Sequence, residues 1–348
     1  MSIPLYMPRL NENGNNGLTI LAGDVGGTKT NLGIFVAENN KMRLLKEAAY
    51  SSANFNSATE IVKRFLYETS QPMPDRICLG AAGPVLNGEV EITALKWSIN
   101  ANELLRNTNT KEVALLNDVH ANAYGLAGLT ENDYVTISEG KKMEEGNMAI
   151  IAPGTGLGEA CLFWDGDSYR PFSTEGGHCD FAQQSENDIK LYRMLRKKYE
   201  HVSWELVASG SAIHDLYIFL RDEMKMEEPA WLAEKLKTGN ASSIISEAAL
   251  QNGCEICDAT MKLFVKNIAR ESCNLVLKMK AVRGLFLSGG IPPKILKYFT
   301  SGYFFECFRK CDRMGELVES VPVKIILNDK TPLLGAAYYG AFGPMSKN

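Results

Sequence analysis

The sequence reads as an α/β protein, and three observations carry that reading. Short apolar runs alternate with segments whose apolar residues recur at helical spacing. A strand–glycine turn–strand unit occurs twice, once in Leu18–Val36 around 23–28 and once in Ala149–Trp164 around 153–158. Several apolar runs end directly in Gly, Pro, Asn or Asp, the punctuation expected where strands stop.

In chain order, Leu18–Ala22 and Asn31–Val36 form the arms of a first hairpin, and 44–50 (LLKEAAY) supplies a third strand. Ser57–Glu68 has apolar residues at helical spacing behind a Ser cap and is expected to be a helix. Arg76–Ala81 is a short buried strand ending in the turn Ala82-Gly83-Pro84. Trp97–Asn100 precedes a helical start, and Val113–Leu116 is a strand running straight into Asn117-Asp118. Strands separated by helices make this third an α/β unit. Ala121–Leu129 reads as a small-residue helix leading into new material. The second glycine hairpin follows, flanked by strands Ala149–Ala152 and Ala160–Trp164, and its likeness to the first suggests two duplicated α/β domains. Ser185–Tyr199 is a helix with Ser185 and Asp188 at capping-box spacing. Ser203-Trp204-Glu205 opens another, and 221–253 reads as short helices. Glu255–Ala281 is a long helix with one buried face, leading into the strand Gly284–Ser288 and then Gly289-Gly290. Val323–Leu327 is a late strand and Leu333–Phe342 a closing small-residue helix.

At 348 residues, 45% apolar and 22% charged, the chain has material for one large or two ordinary globular domains. A net charge of −4 with no long Lys/Arg run argues against a nucleic-acid partner. No stretch approaches the roughly 18 apolar residues of a membrane span. Residues 1–17 lack a basic region followed by an apolar core, so they read as a flexible lead-in rather than a secretory signal. Eight scattered cysteines without such a signal favour reduced thiols and a cytoplasmic location. Cys254 and Cys257 have the spacing of half a zinc site, but no second Cys/His pair completes it, and no protein-bound metal is expected.

Three segments carry side chains suited to chemistry. In the first hairpin, Asp24 stands beside Gly26-Gly27 and Thr28-Lys29-Thr30. Glycine lets backbone N–H groups approach an anion, and the carboxylate can hold hydrated Mg²⁺; the alternative is an ordinary tight hairpin. A Walker A loop is excluded because Thr28, not Gly, precedes Lys29-Thr30, and the dinucleotide spacing G-x-G-x-x-G is absent too. Asp118, at a strand's C-terminal end beside Asn117, suits a base that takes a proton from a hydroxyl, or else a helix N-cap. In Glu175-Gly-Gly-His178-Cys-Asp180 the glycines let Glu175 and His178 turn towards a common point. An acceptor and a donor there suit adjacent sugar hydroxyls. A hydrogen-bonded loop is the alternative, and a metal site is opposed by only four histidines, none paired at helical spacing. Glu205, at a helix start, carries no reading of its own.

Taken together, Asp24-Val-Gly-Gly-Thr28, Asn117-Asp118, Pro153-Gly-Thr-Gly-Leu-Gly158, Glu175-Gly-Gly-His178-x-Asp180-Phe181, His201-Val-Ser203 with Glu205, and Ser288-Gly-Gly-Ile291 occur in the order seen in bacterial glucokinases. The chain thereby resembles that family of sugar kinases, within the actin-like ATPase superfamily, from about residue 18 to residue 342. The resemblance implies two actin-like (ribonuclease H-like) α/β domains flanking a cleft: a small one of 18–120 plus 331–348, and a large one of 121–330. It implies that Gly23, Asp24, Val25, Gly26, Gly27 and Thr28 face the phosphates of Mg²⁺-ATP. Gly154, Thr155, Gly156 and Gly158 would close the phosphate site, and Gly289 and Gly290 would lie by the adenosine. Asp118 is implied as catalytic base, and Asn117, Asp118, Glu175, His178 and Glu205 as glucose ligands. A homodimer acting at the first step of glycolysis is implied as well.

Some positions depart from the commonest bacterial pattern. Lys29-Thr30-Asn31 is more similar to the ROK sugar kinases, whose cysteine-rich zinc motif is missing here. Lys29 is expected to point to solvent, while Glu159 and Cys179 are placed to alter sugar or nucleotide preference. Two other readings share these motifs: a kinase for another hexose, and a sugar-binding regulator with little catalysis. Asp118 and the two glycine turns oppose the regulator.

Overall fold

A computed structural model of the chain describes residues 3–345 apart from 13, 93–94, 142 and 252. Its strands are β1 (Thr19–Val25), β2 (Lys29–Glu38), β3 (Lys41–Ser51), β4 (Arg76–Ala81), β5 (Glu89–Ile92), β6 (Trp97–Asn100) and β7 (Glu112–Asn117), followed by β8 (Tyr134–Ser138), β9 (Met148–Pro153), β10 (Leu157–Trp164), β11 (Tyr169–Thr174), β12 (Gly284–Leu287) and β13 (Val323–Ile326). The chain divides into two compact units. One takes the chain up to Asp133, Leu162–Ser173 and the chain from Asn328 onward; the other takes Tyr134–Cys161 and Thr174–Leu327.

The first unit is built on a sheet ordered β3-β2-β1-β4-β7. β1 and β2 form the antiparallel hairpin, and β4 and β7 follow in parallel. β1 and β4 are near-continuous apolar runs because both their faces are covered, as parallel strands require. β3 alternates half-buried and exposed residues, as suits an edge strand. Helix Ala58–Thr69 starts where Ser57 accepts a hydrogen bond from the Glu60 amide at 3.2 Å.

The late helix Thr331–Phe342 returns to this unit, packing on β1, β4 and helix Asp118–Gly125. Its small residues permit close backbone approach. A Cβ at Gly335 would overlap the Ala121 carbonyl and stand 2.5 Å from the Gly125 nitrogen. This contact ties the 118–125 helix to the first unit, whereas the sequence reading divides the chain at 120/121.

Residues 162–173 also belong there. Tyr169 exchanges backbone hydrogen bonds of 2.8 Å with Pro4 and Tyr6. Arg9 binds Glu112 at 2.6 Å, and its amide reaches the Phe342 carbonyl at 3.1 Å. The expected flexible lead-in is, over its described residues, a segment docked by its own backbone and by this ion pair.

The second sheet is ordered β11-β10-β9-β12-β13-β8, and its first five places repeat the connectivity of the other sheet; β9, β12, β13, β8 and the start of β10 lie in the second unit, while β11 falls almost wholly within residues 162–173. β9, β12 and β13 are parallel, and β8 closes the edge antiparallel to β13. The long helix spans Glu255–Met279 and ends where Lys280 turns left-handed. Phe264, Val265, Ile268 and Val276 on its inner face join the core with β9 and β12. Glu186–Arg196 is capped by Ser185, which accepts from the Asp188 amide at 3.2 Å.

The interlock of Gly335 with Ala121 yields a stability prediction. Gly335→Leu forces the two helices apart and destabilises the protein by at least about 2 kcal/mol, as overpacking of close-packed contacts does. Gly253→Ala, with nothing within 4 Å of the new Cβ, is near neutral. Urea midpoints of the two variants check both; equal midpoints would refute the interlock.

Candidate active site

In the first unit, strand pairing sets the level of every candidate group. Val25 pairs with Ala81, and Ala81 pairs with Asn117, so β1, β4 and β7 end side by side. The glycine turn, the Ala82-Gly83-Pro84 turn and Asn117-Asp118 therefore leave one edge of the sheet together. Such an edge, at the carboxyl ends of parallel strands, is where α/β sheets take ligands.

Asn117, not Asp118, is the N-cap of helix Asp118–Gly125. Its Oδ1 accepts from the Val119 and His120 amides at 3.0 and 3.3 Å, and its Nδ2 donates to the Gly83 carbonyl at 3.1 Å. Asp118 occupies the first helical position, half-buried. Its Oδ1 accepts from the Val119 amide at 2.8 Å. Asn117 thus takes the capping role and orients the carboxylate that follows.

The first glycine turn is braced from below by Ser52, which is fully buried. Ser52 Oγ donates to the Gly26 carbonyl at 2.8 Å and lies 2.9 Å from Thr30 Oγ1, and its amide reaches the Thr28 carbonyl at 3.0 Å. Sequence reasoning missed Ser52, whose only local signal is an unremarkable serine after a strand. Gly23 lies in the core, where a Cβ would press on Leu79 and Leu32 side chains at 2.5 and 2.9 Å. Asp24 accepts from Asn31 Nδ2 at 3.3 Å. Burial raises its carboxyl above the usual range, Asn31 and Lys29 pull it back, and Asp329 pushes it further up. Lys29 is exposed.

In the second unit, β9 and β10 are joined by the turn Gly154–Gly156, closed by a 2.9 Å bond from the Gly154 amide to the Gly156 carbonyl. Glu205 opens the helix Glu205–Ala208, and its Oε2 accepts from the Leu157 amide at 3.0 Å. A Cβ at Gly156 would stand 2.5 Å from that same oxygen. Gly210 donates its amide to the Gly154 carbonyl at 2.8 Å. Gly289, with φ +82°, lies where a Cβ would meet the Pro153 carbonyl at 2.6 Å, so only glycine fits. Gly290 borders open space. The turn thus sits among Glu205, Gly210 and Gly289, three residues from distant parts of the unit.

Glu175, exposed, precedes the short 3₁₀ turn Gly176–His178, on which His178 is exposed as well. The two glycines are required for packing beneath. A side chain at 176 would overlap Glu159 Oε2, and one at 177 the Leu157 carbonyl. The segment is strapped to the next motif by an antiparallel bridge between Asp180 and Ser203. Backbone bonds from Trp204 to Cys179 and from Phe181 to Val202, both 3.0 Å, flank the bridge. His201 Nε2 lies 2.7 Å from Asp180 Oδ1. Phe181 and Trp204 meet edge to face at 5.1 Å below, with the Arg270 guanidinium over both rings. Glu175, His178 and Glu205 are therefore presented by one hydrogen-bonded platform.

Cys179 is exposed, and all eight cysteines are unbridged. Cys254 caps the long helix and Cys257 lies within it, both buried.

Comparison with known proteins agrees with these motifs. Residues 21–341 match the model of the glucokinase family. A glucokinase of Trichormus variabilis is 35% identical over 337 residues, covering 92% of this chain and 98% of the relative. The crystal structure of a glucokinase from an Antarctic psychrotroph superposes with a TM-score of 0.79 at 32% identity, covering 92% of this chain and 98% of that one. A ROK family glucokinase from Streptomyces griseus, solved with glucose and AMPPNP, shares the fold at a TM-score of 0.65 and 18% identity, covering 92% and 99% of the two chains. The chain belongs to the glucokinase family, enzymes that phosphorylate glucose with ATP, and has that family's actin-like two-domain fold.

Proposed function

We propose that the chain transfers the γ-phosphoryl group of ATP to the 6-hydroxyl of glucose, with Asp118 as general base. One observation carries the reading. The segment bearing Glu175 and His178 is bridged to the segment bearing Glu205, and Glu205 in turn binds the Gly154–Gly158 turn. A platform with sugar-type ligands is thereby bonded to a turn suited to phosphate. In this reading Asn117, Asp118, Glu175, His178 and Glu205 bind glucose. Gly23–Thr28 and Gly154–Gly158 cradle the phosphates, and Gly289 and Gly290 border the nucleoside.

Phosphoryl transfer is mainly positioning and charge neutralisation, and rigid turns of backbone N–H groups suit both. Asp118 takes the proton of the attacking hydroxyl, with Asn117 fixing its backbone against the Gly83 turn. The donor set at Asp24 fits Mg²⁺: a hard carboxylate oxygen, raised in pKa by burial and by Asp329, gains from a divalent cation nearby. Asp24 would hold the ion through water, and the ion supplies neutralisation of phosphate oxygens.

The reaction is assigned to the entry of glucose into glycolysis. Unbridged cysteines support a reducing, cytoplasmic compartment, and among the described residues no helix is long and apolar enough to cross a membrane. The homodimer is carried by the family resemblance.

Asp118→Asn keeps an acceptor for the Val119 amide, so the helix start survives while the base is lost. The variant binds glucose in calorimetry with wild-type affinity, and kcat in a coupled ADP assay falls about 10²–10⁴-fold; near-normal kcat removes Asp118 from the role. Glu175→Gln and His178→Ala raise KM for glucose roughly tenfold or more, because each leaves a sugar hydroxyl unpaired, and leave KM for ATP unchanged. Glu205→Ala raises both KM values, since the same carboxylate holds the phosphate turn. An ATP-only effect of the first two variants would take them out of the sugar site.

A further inference from the structure

Directly beneath the Glu175–His178 segment lies Glu159, on β10, only 2% exposed. Gly176 rests against its Oε2. On the other side helix Glu255–Met279 presents Glu271, which is fully buried and hydrogen-bonded to Glu159. Two carboxylates cannot donate to one another, so this bond requires a proton between them.

Its location follows from the neighbours. Glu271 has the partners of an anion: Asn274 Nδ2 donates to Oε2 at 2.8 Å, and Lys278 Nζ stands 3.6 Å from Oε1. Glu159 Oε1 and Glu271 Oε1 are both sealed from water without a hydrogen-bond partner, so it is the Asn274 amide and the Lys278 cation beside Glu271 that distinguish the two. Burial first, and then the Glu271 charge, push the Glu159 carboxyl up to about 8, against the pull of Lys278. Glu271 is raised too, by burial, with Asn274 and Lys278 opposing. Cys161 on the same strand and Cys273 on the helix also border the pair, and burial pushes both thiols up to about 12, so they stay neutral.

We propose that Glu159, protonated and hydrogen-bonded to Glu271, is a positioning residue for the sugar: it supports Gly176 and so sets where Glu175 and His178 stand. The inference rests on reading those two residues as sugar ligands. When the Glu159 proton leaves to solvent, two carboxylates remain in contact in a dry site, which is unfavourable through both repulsion and lost hydration. Relief comes by displacing the thin cover above Glu159, which is Gly176. Sugar affinity then falls with rising pH while the phosphoryl step keeps its own base. The same ionisation has a sign for stability. The folded chain retains a proton that the unfolded chain loses near 4.5, so stability declines as pH climbs from about 4.5 to about 8 and the decline ends above that.

The test is steady-state kinetics of the full chain from pH 6.5 to 9.5 at saturating ATP, with calorimetric titration of glucose. Wild-type KM for glucose rises about tenfold by one pH unit above the ionisation, as the competent fraction falls, while kcat holds. Glu159→Gln, which still donates to Glu271 and cannot ionise, keeps a flat KM near the wild-type neutral value. Its urea midpoint also loses the decline between acid and neutral pH. Glu271→Gln replaces the anion with an amide able to donate to Glu159, and moves the alkaline limb to lower pH; this variant decides the matter if Glu159→Gln does not fold. A flat wild-type profile, an alkaline rise retained by Glu159→Gln, or a limb unmoved by Glu271→Gln overturns the inference. If Glu175→Gln and His178→Ala leave KM for glucose untouched, it is the sugar-ligand reading that fails instead.

Discussion

Parallel pairing of β1, β4 and β7, level to their last residues, is the constraint on which the first unit's chemistry depends. Val25, Ala81 and Asn117 stand abreast, so connections far apart in sequence leave the sheet along one edge. With both faces of β1 and β4 buried, the apolar pattern alone does not set the register; glycines do, since Gly23 and Gly80 stand where a side chain would press on Leu79 and Leu32 or on Ala121. Gly80 completes the arrangement: its Cα sits below the helix start, where a Cβ would press on Ala121 at 3.0 Å and approach the Asp118 Cα at 3.8 Å. The helix that carries Asp118 can therefore begin directly against the sheet.

The second unit repeats the strand order but assembles its candidate groups by another means. Main chain lies on main chain around the Gly154–Gly158 turn, with glycines at 156, 176, 177, 210 and 289 meeting a carboxylate or a carbonyl where any side chain would collide. Packing of this kind leaves little room for adjustment, and it transmits small shifts. Polar side chains then serve as struts: Glu205 under one loop, Glu159 under the next, Ser52 under the hairpin of the first unit.

Elements with local cues are legible in the sequence. Ser57 and Ser185 start helices where their spacing to Glu60 and Asp188 says they should, and the apolar stripe of 255–279 marks one buried face. β5, β8 and β11 were not legible. They are short and polar, and β11 contains a proline; β8 takes its extended form from β13, remote in sequence, while β5 and β11 pair locally with β6 and β10 but lack a clear apolar alternation. Helix 118–125 takes its place from contact with residue 335, remote in sequence, which no local signal announces. Within the site, the motif residues around Asp24, Asp118 and Glu175 announced themselves by type and spacing. Glu205 did not: its bond to the Leu157 amide spans 48 positions, and only the family resemblance singled it out.

The helix Thr331–Phe342 carries a consequence for biosynthesis. It covers the apolar face of β1 and β4, yet it leaves the ribosome only after residues 134–327. Leu116, Ala121, Cys78 and Phe35 form one core cluster with Leu333, Ala336 and Ala337 of this helix. During translation the first unit must wait, its sheet half-clothed, while residues 134–327 emerge and fold. The hairpin of β1 and β2 is thereby made well before its cover, and its apolar face stays exposed in the interval, the condition in which nascent chains are prone to aggregate.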